Sequence, residues 1–391
     1  MKKLILAYTI GGLIFSSLSV FGQLKNTNEL SGSPNTITTA VPFLLIAPDA
    51  RSGGMGEVGV ATDPDANSIH WNPSKMAFLK EQGGVSLSYT PWLRQLVNDI
   101  SLTYLSGYYK ISDKQAISAS LLYFSLGSIT FTDINGTTQG DYNPNEFAID
   151  MAFSQKLAEN TAMGIALRYI RSDLNIQSAS GEGHAGNAVG ADISFYSRKE
   201  LTVFKKDAVL AYGADISNVG SKMSYTTSGE RDFIPSNMRI GSTLTTNIDK
   251  YNSFAVSLDL NKLLVPTPNP ARVATEPNYL SNISVPSGIF NSFSDAPGGG
   301  KEELQEIIWN MGLEYWYDKQ FAVRAGYFHE SVNKGGRQYL TIGAGLRYNV
   351  FGLDLAYIIP TSTQKSPLEN TLRLGLLFNF DNSKKRNEPA Q

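Results

Sequence analysis

The chain has 391 residues, with 33 Lys and Arg against 35 Asp and Glu, giving a formal net charge of −2. A chain without a basic excess lacks the electrostatic footprint of a nucleic-acid binder, so no nucleic-acid partner is expected. It contains no cysteine, which excludes disulfides, thiolate metal sites and a lipid-modified N-terminal cysteine. The 19 Tyr, 19 Phe and 35 Gly fit a transmembrane β-barrel with aromatic girdles and a crowded interior.

Residues 1–22 have the pattern of a secretory signal peptide. Lys2 and Lys3 precede the apolar run "LILAYTIGGLIF", and "SSLSVFG" leads to a cleavage site that leaves Gln23 first. An N-terminal anchor helix is the weaker alternative, because the apolar run is shorter than the ~20 residues of a membrane span. We therefore expect an exported protein.

Residues 23–82 are predicted to form an N-terminal periplasmic or plug-like segment. The stretch "AVPFLLIAP" is too apolar for a loose loop and too irregular for a strand. Filling the mouth or lumen of a barrel would bury its apolar residues. This segment contains the only motifs in the chain that suggest a bound ligand.

Two motifs between residues 54 and 74 suggest a ligand but do not fit one. Gly54, Gly56 and Gly59 match the G-x-G-x-x-G pattern of dinucleotide sites, yet no strand–glycine–helix unit surrounds them. A calcium loop starting at Asp63 needs Gly and Glu at its sixth and twelfth positions, where this chain has Ser68 and Ser74. We expect neither nucleotide nor calcium, and no cofactor or metal of any kind.

From about residue 83 the chain alternates between large apolar residues and small or charged ones. In "TAMGIALRYI" the apolar set is Met163, Ile165, Leu167 and Tyr169, and the other set is Ala162, Gly164, Ala166 and Arg168. A period of two indicates β-strands. A water-exposed face would be rich in Lys and Glu, whereas Gly, Ala, Ser, Arg and Asp suit a confined lumen. The apolar face then meets lipid, and closure removes unpaired edges.

The fold class that follows is all-β, a transmembrane antiparallel barrel of about 14 strands at residues 83–380. The predicted strands are 83–90, 98–112, 115–132, 146–156, 161–173, 186–198, 206–217, 237–247, 252–264, 306–317, 320–329, 337–350, 352–359 and 370–380. Short and long connections alternate, as periplasmic turns and outer loops do, although "RKELTVFKK" is long for a periplasmic turn. Residues 381–391 are predicted to be a polar periplasmic tail.

Catalytic motifs are not found: there is no G-x-S-x-G, no H-E-x-x-H and no Walker loop. His70, His184 and His329 are far apart without ligand spacing. Ten charged residues are placed on the predicted lumen face: Asp150, Asp192, Asp215, Asp259, Asp354, Arg168, Arg239, Arg324, Arg347 and Arg373. A paired interior network is favoured over a catalytic or conducting role.

The connection from Pro266 to Gln305 is the longest, and its centre "NYLSNISVPSGIFNSF" is apolar. A structureless connection of ~40 residues is uncommon in a compact protein unless it has a function. Aromatic anchors on loops are typical of binding hot spots. The predicted partner-binding residues are Trp92, Tyr142, Tyr279, Ile289, Phe290 and Phe293.

The stretch "PFLLIAPDARSGGMGEVGVATDPDANSIHWNPSKMAFL", followed by a barrel of this size, resembles the PorV (LptO) family. Members are outer-membrane components of the type IX secretion system of Bacteroidetes, with barrels of the FadL-like family. The resemblance covers essentially the whole chain after the signal peptide. It is most specific between Pro42 and Pro73, notably in "PDARSGGMG" and "DANSIHWNP".

The resemblance implies an outer-membrane protein with surface-facing loops that is not an enzyme. It implies a shuttle that accepts cargo bearing a C-terminal signal domain as it leaves the translocon, SprA or Sov. The cargo would then pass to the attachment complex, where the sortase PorU exchanges the signal for a lipopolysaccharide anchor. Two alternatives remain: a FadL-like channel for hydrophobic solutes, and, less favoured, a lipopolysaccharide-modifying hydrolase at the barrel rim.

Overall fold

The computed structural model describes residues 35–92, 99–132, 135–174, 183–226, 230–276, 278–361 and 371–380. The alternating segments form strands because extended backbone places successive side chains on opposite faces of a sheet. These are β1 Gly83–Pro91, β2 Ser101–Ser112, β3 Gln115–Ser125, β4 Ile129–Thr132, β5 Thr138–Tyr142, β6 Asn145–Ala158, β7 Thr161–Asp173, β8 Gly186–Val203, β9 Lys206–Gly220, β10 Asn237–Asn247, β11 Asn252–Leu263, β12 Ile308–Tyr317, β13 Phe321–His329, β14 Gln338–Tyr348, β15 Phe351–Pro360 and β16 Leu372–Phe380.

All strands except β4 and β5 form one closed antiparallel barrel of 14 strands. Chain neighbours pair throughout, β3 pairs with β6, and β1 closes the ring against β16 with Gly83 opposite Phe380. Closure leaves no unpaired edge within the barrel wall, as a sheet in lipid requires. The predicted fold class is therefore confirmed.

The two faces of each strand differ as predicted. On β7 the apolar set Met163, Ile165, Leu167 and Tyr169 is exposed on the outside, while Ala162, Ala166 and Arg168 are buried inside. Ile342 on β14 and Leu374 on β16 likewise lie on the outer surface. The outer surface therefore has the apolar side chains that a lipid environment requires.

Two predicted strand ends differ from the structure by more than three residues. The predicted strand 115–132 breaks at Gly127, whose φ of +79° ends the regular alternation of the backbone. Residues 129–132 then pair with 138–142 in a separate two-stranded sheet, β4–β5, within a predicted loop. The link "RKELTVFKK" is also largely strand, because β8 continues to Val203 and β9 begins at Lys206.

The barrel has a short-turn end and a long-loop end. The connections after β2, β6, β8, β10, β12 and β14 are tight turns at the end where β1 starts and β16 finishes. The other connections lie at the opposite end and include residues 264–307, which we call the cap. The cap contains the helical segments Pro270–Thr275, Tyr279–Asn282, Val285–Asn291 and Gly300–Gln305, and Val332–Lys334 lies between β13 and β14.

Residues 36–82, which we call the plug, fill the lumen. Their helical segments are Pro42–Leu45, Ala50–Gly53, Ser68–Trp71 and Pro73–Phe78. The Ala40 amide donates to the carbonyl of Phe233 at the long-loop end, 2.9 Å away. Phe78 packs against Tyr196 close to the short-turn end. The plug therefore traverses the lumen from one end of the barrel to the other.

Every helix in the described ranges is too short or too polar to cross a membrane.

Candidate functional site

The glycine motif in the plug is held by acceptors on the barrel wall. The Gly56 amide donates to the Thr341 hydroxyl at 2.8 Å. The Gly59 and Val60 amides both donate to one carboxylate oxygen of Asp259, at 2.7 and 3.0 Å. A protein carboxylate thus takes the amide groups that a pyrophosphate would need. The described residues also contain no group of three or more His, Asp or Glu placed to hold a metal.

Small residues on the inner wall allow the plug backbone to approach closely. A Cβ at Gly326 would lie 2.0 Å from the Gly56 nitrogen, and one at Gly213 would lie 2.1 Å from the Val60 carbonyl oxygen. Both distances are far below contact distance, and both neighbours are backbone atoms. These positions therefore need glycine, which explains why the inner face of the strands is small rather than apolar.

A buried charge network joins the plug to β12, β13 and β15. The Arg51 guanidinium binds Glu314 and Asp65, each at 2.9 Å. Arg324 binds the same Glu314 and also Asp354, each at 2.8 Å. A buried guanidinium is tolerated only when carboxylates compensate for lost hydration, so this network fixes the plug in one position. Separately, Arg373 on β16 binds Glu57 of the plug at 2.8 Å.

A second cluster lies on the opposite wall. Arg168 on β7 binds Asp150 at 2.5 Å and Asp192 at 3.1 Å. The Arg239 guanidinium donates to the His70 carbonyl at 3.3 Å and lies 4.9 Å from the Trp71 ring centroid. The predicted interior network is confirmed for Asp150, Asp192, Asp354, Arg168, Arg324, Arg347 and Arg373, which form ion pairs. Among the described contacts, Asp215, Asp259 and Arg239 form no ion pair.

The mouth at the long-loop end contains a cavity of about 290 Å³ between the plug and the barrel rim, where Glu306 is the one lining residue from the cap. Its apolar lining comes mainly from Ile37, Pro42, Leu45, Leu263 and Ile308. A smaller space of about 50 Å³ shares part of this wall and reaches Arg239 and Asn310. Below these spaces the plug is in backbone contact with the strands, so the cavity is a recess at the mouth.

Lysine and glutamate pairs fasten the cap to the rim. Glu306 accepts from Lys262 at 2.6 Å and from Lys334 at 3.0 Å, and Lys262 also binds Glu303 at 3.1 Å. The Thr267 amide donates to Asp295 at 3.1 Å, and partial burial raises the pKa of that carboxyl. The cap is therefore a folded layer with a polar attachment.

The predicted partner-binding residues do not share one environment. Phe290 and Phe293 in the cap are 77% and 49% exposed, and Ile289, which precedes Phe290, is half-buried. Tyr279 is buried, with its hydroxyl accepting from the Asn269 amide at 2.8 Å. Trp92 packs against the core beside β1, and the Tyr142 hydroxyl donates to Asp173. Only the cap pair presents large apolar surface, and partner binding by all six stays a prediction.

Sequence reasoning missed the carboxylates that attach the plug to the barrel wall and the cap to the rim. Glu314 shares the inward parity of Asn310 and Gly312 on β12 and alternates with the outward Met311 and Leu313, which is the signal that it faces the lumen. Glu57 lies within the glycine motif, where no strand alternation indicates which way its side chain points. Glu302, Glu303 and Glu306 form an acidic run that an exposed helix also displays, so the sequence contained no signal for their pairing with Lys262 and Lys334.

Fold and lumen together define a plugged β-barrel of the outer-membrane type, with a buried plug attachment and a capped mouth. The family model for "Type IX secretion system protein PorV" matches residues 29–270, more than half of the chain. The chain belongs to the PorV family and is a type IX secretion component.

Several solved barrels are similar in structure. The Pseudomonas putida toluene transporter TodX has a TM-score of 0.48 at 10% identity, covering 86% of this chain and 99% of that one. The Ralstonia pickettii toluene transporter TbuX gives 0.44 at 11%, covering 86% and 98%. A Pseudomonas aeruginosa FadL homologue gives 0.42 at 11%, covering 89% and 100%. Comparison with curated proteins finds no significant match.

Proposed function

We propose that this barrel binds the C-terminal signal domains of secreted cargo as they leave the translocon, SprA or Sov, and delivers them to the attachment complex with the sortase PorU. The long-loop end faces the cell surface in this proposal, where the complex exchanges the signal for a lipopolysaccharide anchor. Membership of the PorV family supports the secretion context. The role is one of binding and transfer, not catalysis.

The observation that carries the proposal is the exposed aromatic pair of the cap. Phe290 lies in the cap helix Val285–Asn291 and Phe293 follows its end, and both leave large apolar area uncovered. An exposed apolar patch on a folded element is typical of a protein-binding surface, and aromatic residues dominate binding energy there. The cap therefore offers the partner-facing surface that a shuttle requires.

The test is a deletion of residues 272–298 in the native host. The deletion removes Phe290 and Phe293 but keeps Glu303 and Glu306, which pair with Lys262. We expect a heat-modifiable barrel in the outer membrane that no longer co-purifies with the translocon or with cargo signal domains. Cargo secreted and anchored at normal levels by the deletion mutant would refute the role of the cap.

A paired point variant separates the aromatic contact from general damage to the barrel. Phe290→Ser should lower co-purification while leaving barrel abundance unchanged. Phe351→Ser, which removes an exposed aromatic at the opposite end of the barrel, should leave co-purification unchanged. An equal loss in both variants would indicate a membrane effect rather than partner binding.

A channel for hydrophobic solutes is the second candidate, favoured by the apolar cavity of about 290 Å³ at the mouth. The plug in backbone contact with β9 and β13 argues against a continuous path. Uptake of a hydrophobic fluorophore by vesicles containing the purified barrel distinguishes the two functions. Uptake above that of protein-free vesicles would favour the channel.

A further inference from the structure

The β8–β9 hairpin extends beyond the barrel rim at the short-turn end. β7 begins at Thr161, opposite Ser197, so the β8 residues from Lys199 to Val203 pair only with β9. On the other side, the last β9 residue paired with β10 is Ala208, opposite Thr246. Residues 199–207, which we call the tip, therefore lie at the end of a two-stranded ribbon whose β8 edge has no neighbouring barrel strand, while the end of β10 at Asn247 lies beside Asp207.

The tip projects past the membrane interface. Tyr212, opposite Ser197, is an exposed aromatic of the kind that marks this interface. Phe204 is seven residues beyond Ser197, about 23 Å along the strand and ~16 Å beyond the rim at a tilt of ~45°. Each headgroup layer is only ~5–8 Å thick. Elsewhere at this end the exposed aromatics Tyr317 and Phe321 flank the turn directly.

The residue at the turn is unsuited to its backbone conformation. Phe204 and Lys205 have φ of +49° and +63°, the left-handed region that favours Asn, Asp or Gly. At the β12–β13 turn the first such residue is Asp318, and at the β14–β15 turn it is Asn349. The Phe204 side chain is 91% exposed, so no packing offsets the strain. An unfavourable backbone conformation that no packing contact compensates for is typical of a functional site.

The outer face of the tip is apolar and cationic. Alternation places Lys199, Leu201 and Val203 on the face that continues the outer surface of the barrel, with Lys206 opposite Val203. Glu200 and the pair Thr202 and Asp207 lie on the other face. Within the described part of the chain Lys199, Lys205 and Lys206 form no ion pair, and the outer face of the tip has no carboxylate of its own. Asp249 of the neighbouring β10–β11 turn is near enough to Lys206 to interact with its charge.

We propose that the tip docks an extended acidic and apolar segment of a protein at the short-turn face. The segment adds a strand along the free edge from Lys199 to Val203, where unpaired backbone groups provide hydrogen bonds. Its carboxylates meet Lys199 and Lys206, and an apolar pocket receives Phe204. This interaction is separate from the cap and does not rest on the cargo role.

Because the chain has no cysteine, a single introduced cysteine reports binding cleanly. Thr202→Cys on the opposite face of the tip is labelled with an environment-sensitive dye, in the full-length barrel in nanodiscs. The probe is a synthetic peptide in which Glu and Val alternate. It ends in a cluster of apolar residues that can pack around the Phe204 ring. We expect saturable binding, and at least tenfold weaker binding when Lys replaces Glu or when prolines block strand formation.

Variants then test the tip itself. Phe204→Asn with Lys205→Gly installs the preferred turn pair, so folding is retained while peptide affinity falls at least tenfold. Lys206→Glu should weaken binding similarly, whereas Lys319→Glu at the β12–β13 turn should not change it. Unaltered affinity in the turn variant, or equal binding of the lysine peptide, overturns the proposal.

A membrane-bound tip is the competing outcome. A dye on Phe204→Cys should be insensitive to nitroxide-labelled lipids, while a dye on Phe351→Cys at the rim should be quenched by them. Equal quenching at the two positions would place the tip in the bilayer and refute docking of a protein segment.

Discussion

The plug and the cap cover the same lumen but are attached in opposite ways. The plug makes backbone contact with strand glycines and shares a buried guanidinium–carboxylate network with three strands. The cap is fastened through lysine–glutamate pairs at the rim and leaves Phe290 in solvent. The plug is thus part of the barrel core, whereas the cap is an attached layer.

This difference indicates which element can move. Displacing the plug would uncover buried charges and break close backbone packing, so its position is fixed under conditions where the barrel is folded. Displacing the cap would break buried Lys262–Glu306 and Lys334–Glu306 pairs, but these lie at the mouth rather than within the lumen, so the barrel wall would stay intact. Partner binding that requires motion is therefore expected at the cap.

The largest effect is expected from Arg51→Met. The substitution leaves Glu314 and Asp65 without one of their cations, and breaking a buried pair typically costs about 3–5 kcal/mol. Urea unfolding from lipid vesicles, followed by heat modifiability, should show this loss. Arg272→Met, which breaks an exposed pair with Glu276 in the cap, should cost under ~0.5 kcal/mol. Similar losses would remove the distinction between plug and cap.

Ile342→Arg tests the outer surface that surrounds the plug. Placing a guanidinium on the lipid face near the midplane should destabilise the barrel by about 2–4 kcal/mol. Val350→Arg, at the β14–β15 turn, is near the interface and should cost only about 0–1 kcal/mol. The same unfolding assay compares the pair, and equal tolerance would contradict the assigned outer face.

Gly326→Ala tests the close approach of the plug backbone. The added Cβ would meet the Gly56 nitrogen at 2.0 Å, so overpacking of about 1–3 kcal/mol is expected. Gly300→Ala in the cap is the matched control, because a Cβ there meets nothing within 4 Å. If the two alanine variants unfold at the same urea concentration, the plug is not held as tightly as described.

Glu306→Gln should release the cap without unfolding the barrel. Lys262 and Lys334 each lose a charged acceptor, which weakens the attachment by about 1–2 kcal/mol. Limited proteolysis within residues 272–298 should become faster while heat modifiability stays the same. Loss of heat modifiability would show that cap and barrel unfold as one unit.

The smallest effect on stability is expected from Phe290→Ser, because the side chain is already largely in water. Changes at such surface positions usually stay within about 0.5 kcal/mol. The midpoint of urea unfolding should therefore match that of the unaltered barrel. A larger loss would show that Phe290 packs into the cap, which would weaken its assignment as a partner-facing residue.

The barrel was predictable because alternation is a local signal that the lipid and lumen environments impose on each strand separately. Ile342 and Arg324 could be assigned to faces from their position parity alone. The pairing of Arg51 with Glu314 could not, because it joins residues 263 positions apart through a plug of irregular backbone. The break after Ser125 was also hidden, since the β4–β5 hairpin continues the same alternation beyond Gly127.

The path of the plug has a consequence for biogenesis. Ala40 lies at the long-loop end and β1 starts at the other, so the chain passes lengthwise through the ring that its own later strands complete. Threading such a segment into a finished ring would require its buried ionic side chains to slide past a packed wall. We therefore expect the barrel to close around a plug that is already in place, with the pairing of β1 and β16 as the last step.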